Sequence, residues 1–413
     1  MRAPRHLIGA SLACLLLCAA PPALASAAQK PFEAPLARPT DHRPTSRNAP
    51  NRSAYTVPQA PKSPFCAKNF CVHWVSVGVD APNAADANGI SDGDGIPDYV
   101  EHVIAVAEHV YSIENGKLGW RDPKSDGTEG GGNGKTDIYL ANIGGELFGY
   151  AAPDRGQASK AHRIPRRLHG YLVIDNDYAP SEFPGTTQTD DLEVTLAHEY
   201  NHILQFGYDA YQDAWFAEST ATWMEDQVYN GINDYLRYVP RWTQRFDTPL
   251  TTSSIKEYGS AVWNHWLSHR YGQAIMRSAW ARAIHTKPGG FAIGAYESAI
   301  HAAGGPGFSR DFAAFARDVT EWRTDSVFPE GSLYPDAPRQ GNLSVDGASR
   351  VRDLNHTTFQ LIRVGDRTGK AVTVSATAPR GISSAVALVG RIGSERHGRV
   401  ISRMNYRQGG GPM

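Results

Sequence analysis

The chain has 413 residues, with 41 Lys and Arg against 42 Asp and Glu, a formal net charge of −1. That balance excludes a global electrostatic pull toward nucleic acid or an anionic membrane. Hydrophobic residues make up 41% of the chain, with 9 Trp, 18 Tyr and 14 Phe, enough for a substantial core; collagen, coiled-coil and polytopic membrane classes are excluded, and the length suits two or three domains.

The first element is an export signal. Arg2 and Arg5 precede an apolar run from Leu7 to Ala20, and Ala23-Leu24-Ala25 and Ala25-Ser26-Ala27 are small-x-small cleavage patterns. This three-part layout predicts a Sec-type signal peptide over 1–27 and a secreted protein. A run this short does not span a bilayer, so no integral membrane segment is expected after its removal. Cys66 and Cys71 are then the remaining cysteines, and in an oxidising compartment they are expected to form a disulfide. Between signal and disulfide, 28–65 is rich in Pro, Arg, Ala and Ser and reads as a pro-segment or linker with no core of its own.

Ordered structure is expected from about Cys71 onward, with Val72–Val77 as a strand. Pro97 to Gly116 has helical periodicity, with Val100, Ile104, Ala107, Val110 and Ile113 on one face. A Gly-rich loop leads to strands at Thr136–Asn142 and Tyr171–Asp175. A long helix starts near Asp190, where Glu193 three residues on makes an Asp variant of the capping box. Further helices are expected around 214–229, 257–271, 274–285, 292–303 and 308–318. After 343 short β-like runs take over at Thr358–Val364, Ala371–Ala376, Ala385–Ile392 and Arg399–Met404. The class is α+β, with a main domain over 66–340 and a small all-β domain over 341–413. That tail ends in Gly-Gly-Gly-Pro-Met with no closing strand and reads as truncated. It carries ten Arg and one Lys between 350 and 407 against three acids, which suits a solvated basic surface or contact with an acidic cell-wall polymer. No motif supports nucleic-acid binding.

The motif that carries chemistry is His198-Glu199-Tyr200-Asn201-His202. Residues four apart share a helix face, so the two imidazoles can reach one zinc ion. Glu199, beside them, is placed to take a proton from water as general base. Catalytic zinc needs a third protein ligand and an open position. The metzincin pattern would put Gly and His where this chain has Gln205 and Tyr208, which excludes that class.

Downstream lies Trp215-Phe216-Ala217-Glu218-Ser219-Thr220-Ala221. It resembles the segment that carries the third ligand, a Glu, in gluzincins of the aminopeptidase and thermolysin-like branches. The resemblance is closer to a group of secreted bacterial zinc metalloproteases that share His-Glu-Tyr-x-His-x-x-Gln-Phe-Gly-Tyr-Asp, then Trp-Phe-x-Glu-x-x-Ala-Thr-Trp-Met-Glu-Asp. It spans residues 70–320. It implies a zincin-like catalytic domain, a small mixed sheet with an active-site helix and a helical lower part. It also implies Glu218 as third zinc ligand, with Glu225 behind it, on the helix surface or in its place as the ligand. If neither glutamate holds the ion, Asp209 or Asp213 is next in line. By the same resemblance Tyr258, in Glu257-Tyr258-Gly259, is the candidate oxyanion stabiliser. His265 and His269 are expected on the surface of that helix.

A second metal is expected at Asp86–Glu101. Asp86, Asn88, Asp92, Asp94, Asp98 and Glu101 crowd five carboxylates among glycines with no Lys or Arg, a donor set that suits Ca2+ although it is not a regular EF-hand. Asp126, Asn133 and Asp137 are a further candidate group.

The function these features predict is hydrolysis of protein or peptide substrates by zinc-activated water. Two alternatives belong to other classes: a non-catalytic, calcium-dependent surface protein on a zincin scaffold, and a zinc hydrolase of non-peptide amides. Glu199 favours catalysis, because a binding scaffold has no use for a base.

Overall fold

A computed structural model describes residues 7–16, 55–83, 93–130, 132–144, 147–154, 166–343, 347–365, 373–392, 399–409 and 411–412. The chain divides into two compact units. The N-terminal apolar run opens the element order as strand β1, Leu7–Leu16. Residues 1–6 and 17–54, with the cleavage patterns and most of the expected pro-segment, lie outside the described residues.

The unit formed by 27–235 with 276–291 is built on a mixed sheet. Its strands are β2 (Phe65–Cys66) and β3 (Phe70–His73), then helix α1 (Asp98–Tyr111), then β4 (Thr136–Ala141), β5 (Gly149–Pro153) and β6 (Gly170–Asp175). The spatial order is β2-β3-β4-β6-β5. β3, β4 and β6 are parallel, with Val72 opposite Ile138 and Ile138 opposite Leu172, while β5 runs antiparallel to β6 at the edge. Every residue of β4 and β6 is buried, as expected for parallel strands covered on both faces.

The disulfide joins Cys66 to Cys71, residues that face each other across β2 and β3. The expected strand at Val72–Val77 sits earlier, with Val75 making only an isolated bridge to Gln59. The end of the segment expected to lack a core does contribute to one. Tyr55 is buried, its hydroxyl donates to the carbonyls of His73 and Leu140, and it packs with Val75, Tyr139 and Tyr171. β5 had no sequence signal, because Gly-Tyr-Ala-Ala-Pro is poor in β-formers. An edge position tolerates its proline.

α1 continues without a break into a π-helical turn, Ser112–Lys117. That turn shifts the inward face by one residue. Ile113, expected on the apolar stripe, is only partly buried, and Glu114 is fully buried instead. Two helices follow: α2 (Gln188–Asp209) and α3 (Ala214–Val228).

The other unit comprises 236–275 and 292–413 together with β1. Its helices include α4 (Ala261–Tyr271), α5 (Ala292–Ala302) and α6 (Phe308–Asp318). Its strands β7 (Asn342–Leu343), β8 (Gln360–Val364), β9 (Ser384–Ile392) and β10 (Arg399–Arg407) join β1 in the order β10-β9-β1-β8-β7. β1 pairs antiparallel with both neighbours, Leu12 lying opposite Leu388 and Ile362. An apolar run meets the demands of a signal core and of a central strand alike. Of the strand expected at Ala371–Ala376, the described part is irregular and the short strand Thr377–Ala378 follows it. Phe359, at the head of β8, ties the helices to the sheet. Its ring lies 4.6 Å from Phe246 and 6.1–6.3 Å from Trp242, Phe312 and Phe315.

His265, expected on the helix surface, is buried in this unit, whereas His269 is exposed. α4 is apolar on nearly all sides over its first two turns, so no solvent face exists there. Burial pushes the His265 imidazole down to about 3 from an ordinary 6.5. Between those values the unfolded chain binds the extra proton, so stability is present above pH 6.5 and falls as pH drops toward 3. The loss from pH 7.5 to pH 5 is about 2 kcal/mol for this group, and His265→Leu should remove it. Urea unfolding midpoints of the two proteins at the two pH values check this; parallel losses would show that His265 is not the cause.

Candidate metal centre

α2 begins three residues before the expected cap. Thr187 is the N-cap, and its hydroxyl accepts from the Asp190 N–H at 3.0 Å. Asp190 and Asp191 therefore sit in the first turn, where carboxylates favour the positive end of the helix. From there the helix is buried almost continuously to Asp209.

His198 and His202 lie on one face of α2, and Glu218 faces them from α3. His198 Nε2 is 3.2 Å from Glu218 Oε2, and His202 Nε2 is 3.5 Å from Glu218 Oε1. One donor atom from each of the three lies within 4.8 Å of the others, and all three residues are buried. Each histidine is held by its other nitrogen. His198 Nδ1 is 2.6 Å from Glu225 Oε1, and His202 Nδ1 is 2.8 Å from Gln205 Oε1. Each ring thus turns Nδ1 to a partner behind it and Nε2 toward Glu218. Two Nε2 atoms and one carboxylate, with an orienting partner behind each ring, match the donor set of a catalytic zinc centre.

The charges follow this geometry. Burial pushes the His198 imidazole down, but hydrogen bonds to Glu218 and Glu225 outweigh it and hold the group well above its ordinary range. Burial pushes Glu218 up, and the two histidines more than reverse that, holding its carboxyl below the usual range. Glu225, two turns further along α3, is pushed up to about 7 by burial despite its bond from His198. Glu199 is partly buried and also raised, chiefly by desolvation, with the histidines and the Ala151 N–H pulling the other way. β5 passes close to it: a Cβ on Gly149 would meet Thr195 Cγ2 at 2.6 Å and Glu199 Cγ at 3.3 Å. Glycine is what lets the edge strand lie against the helix at this point.

The match to known families is partial. A family model described as a family of unknown function (DUF6055) matches residues 183–291. No curated protein matches the chain. The matched stretch contains both histidines, Glu199, Glu218 and Glu225.

The remaining expected residues fall as follows. Asp209 is fully buried and committed to His285, whose Nδ1 lies 2.8 Å from Oδ1 and whose backbone N–H donates to Oδ2 at 2.9 Å. Asp213 is the N-cap residue of α3. Tyr258 lies in the other unit, on the short helix Lys256–Gly259, its ring stacked on Tyr238 at 5.0 Å. Of the expected calcium ligands, Asp86, Asn88 and Asp92 lie outside the described residues. Asp94 Oδ1 accepts from the Ile96 N–H at 2.7 Å, and Asp98 and Glu101 occupy the first turn of α1. Of the further candidate group, Asp137 pairs with His73 at 3.0 Å and Asn133 lies against Cys71 Sγ.

Two groups escaped the sequence reading. Asp175, Asp177 and Glu182 bring carboxylate oxygens within 4.8 Å of one another at the end of β6 and in the segment after it, with Asp175 pushed up to about 6 by burial. The other is a buried chain of amides behind the histidines. Gln205 Nε2 donates to Asn201 Oδ1 at 2.7 Å and to the Ala217 carbonyl at 3.1 Å. Asn201 Nδ2 donates to Glu114 Oε2 at 2.8 Å, and Tyr200 donates to Asn115 Oδ1 at 2.9 Å. Both residues between Glu199 and His202 are thus anchored in the π-helical turn, a feature often found at functional sites. The signal was present in the sequence, since Glu114 lies four residues beyond Val110 on an otherwise apolar stripe.

Burial holds the Glu114 carboxyl well above its ordinary range, so its charged form is disfavoured there. Its burial costs progressively more stability as pH rises above the unfolded value. Glu114→Gln keeps the acceptor for Asn201 and removes that cost, so it should be at least as stable as wild type at pH 8. Glu114→Leu strands a buried amide and should lose about 1–3 kcal/mol. Chemical denaturation of the two variants checks the pair; equal losses would show that Glu114 acts only by packing.

Proposed function

We propose that this chain is a secreted zinc-dependent metalloprotease. The observation that carries the reading is the convergence of His198 Nε2, His202 Nε2 and a Glu218 oxygen within 4.8 Å in a buried site, with the opposite nitrogen of each ring already engaged. Those three residues would hold the ion. Zinc held there supplies Lewis acidity, drawing the pKa of water in the site toward neutrality.

Glu199 then accepts the water proton on its carboxylate and passes it to the leaving amine. Glu225 and Gln205 keep the rings turned so that Nε2 stays available. The outer edge of β5 supports a peptide as substrate. β5 is an antiparallel edge strand running past Glu199, and an extended peptide can pair with such an edge through its backbone. Export places the activity outside the cell, where a disulfide is stable.

A casein or gelatin zymogram of the purified protein, with and without a zinc chelator and with zinc restored, tests the reading. Clearing that the chelator abolishes and zinc restores is the expected result. No clearing by protein that contains stoichiometric zinc would overturn it, and turnover of small non-peptide amides by the same sample would favour the amide-hydrolase alternative.

A further inference from the structure

Gln205 stands between two of the residues that would hold the ion. Its Oε1 lies 2.8 Å from His202 Nδ1. Its Nε2 donates at 3.1 Å to the carbonyl of Ala217, the residue before Glu218. One side chain on α2 thus grips a ligand on its own helix and the backbone beside a ligand on α3. The second N–H of Nε2 goes to Asn201 Oδ1 at 2.7 Å, and Asn201 Nδ2 donates in turn to Glu114 Oε2 at 2.8 Å. Gln205, Asn201 and Glu114 are fully buried, and His202 is nearly so.

The polarity of this chain is set at its ends. A backbone carbonyl only accepts, so the Ala217 end calls for the NH2 side of Gln205 and leaves Oε1 for the ring. At the other end Glu114 Oε2 takes a hydrogen from Asn201, which turns Asn201 Oδ1 toward Gln205. Were the Asn201 amide reversed, two NH2 groups would meet inside the core, and Gln205 would have to give up a contact. Through two amides, Glu114 therefore controls where the oxygen that faces His202 sits. Its own place comes from the π-helical turn, which shifts the inward face from Ile113 to Glu114.

Packing alone does not call for such a chain. Apolar side chains of similar size would fill the space without needing partners, and buried polar groups are costly unless every member is satisfied. What the polar chain adds is a fixed direction, delivered to one ligand on each helix.

We propose that Gln205, aligned by Glu114 through Asn201, is a positioning residue that holds His202 and Glu218 in register with each other and so sets zinc affinity. The proposal rests on the zinc reading above. It adds a control point, Glu114, that makes no hydrogen bond to any of the three ligands.

Zinc affinity of the full chain, read by competition with a coloured chelator, tests this without reference to catalysis. Gln205→Met should weaken zinc about 10–100-fold, and Glu114→Leu about tenfold. Glu114→Gln keeps an acceptor for Asn201 and should return the affinity to that of wild type. In a Gln205→Met background Glu114→Leu should cost no further affinity, because the link it acts through is gone. If Glu114→Leu does not fold, Asn201→Ala breaks the chain one step nearer the ion and takes its place in the same comparison. Tyr296→Phe removes a buried hydroxyl that donates to Asn264 Oδ1 at 2.5 Å in the unit without the histidines, and it should bind zinc as wild type does. Wild-type affinity in Gln205→Met or Glu114→Leu, full additivity of the two losses, or failure of Glu114→Gln to restore binding would overturn the proposal and leave the zinc reading standing. A loss in Tyr296→Phe as large as that in Glu114→Leu overturns it as well. Wild-type protein that binds no zinc overturns both.

Discussion

Glu199→Gln should leave the metal bound and lower hydrolysis by about 10²–10⁴-fold. The argument rests on what the substitution spares. Glu199 is not among the three residues whose donor atoms converge, so the amide leaves the ligand set intact. Glutamine has the same length, and its carbonyl oxygen can still accept from the Ala151 N–H that lies against the carboxylate. What it cannot do is take up a proton. Metal analysis and peptide turnover on one preparation check both halves. Activity within tenfold of wild type would place the base elsewhere, and loss of the metal along with activity would make Glu199 a ligand.

Glu218→Ala and Glu225→Ala should separate a metal ligand from the residue that orients one. Glu218 offers one oxygen to the Nε2 of each histidine, so its removal takes away a third of the donor set and zinc should be lost. Glu225 touches only the Nδ1 side of His198. Without it the ring can rotate or change tautomer, which should weaken zinc about 10–100-fold and still leave it measurable. Competition with a coloured chelator reads both affinities without reference to catalysis. Stoichiometric zinc in Glu218→Ala with loss in Glu225→Ala would exchange the two roles. Retention in both would move the third ligand elsewhere, and Asp209 is a poor candidate because His285 already engages both of its oxygens.

The spacing in His-Glu-Tyr-Asn-His put both imidazoles on one helix face, because four residues are close to one helical turn. The strands at Thr136 and Tyr171 were legible for a similar reason, since continuous β-branched and aromatic runs have few other uses. β5 was not legible, because what makes it a strand is its neighbour β6 and the close approach that Gly149 permits. Nor was the helix start at Thr187, where a hydroxyl outcompeted the acidic pattern that begins three residues later.

The sequence by itself determined the local chemistry: two histidines and a glutamate on one helix, two cysteines near enough to bridge, and a basic tail. Spacing along a single element fixes relations within that element and nothing across elements. The tertiary structure decided the rest. It brought Glu218 to the Nε2 atoms and Glu225 to Nδ1, and it turned Glu114 inward through a π-helical turn to brace the residues between the histidines. Contacts of that kind depend on which faces of packed elements meet, and that is set by burial of the whole core and not by any local pattern.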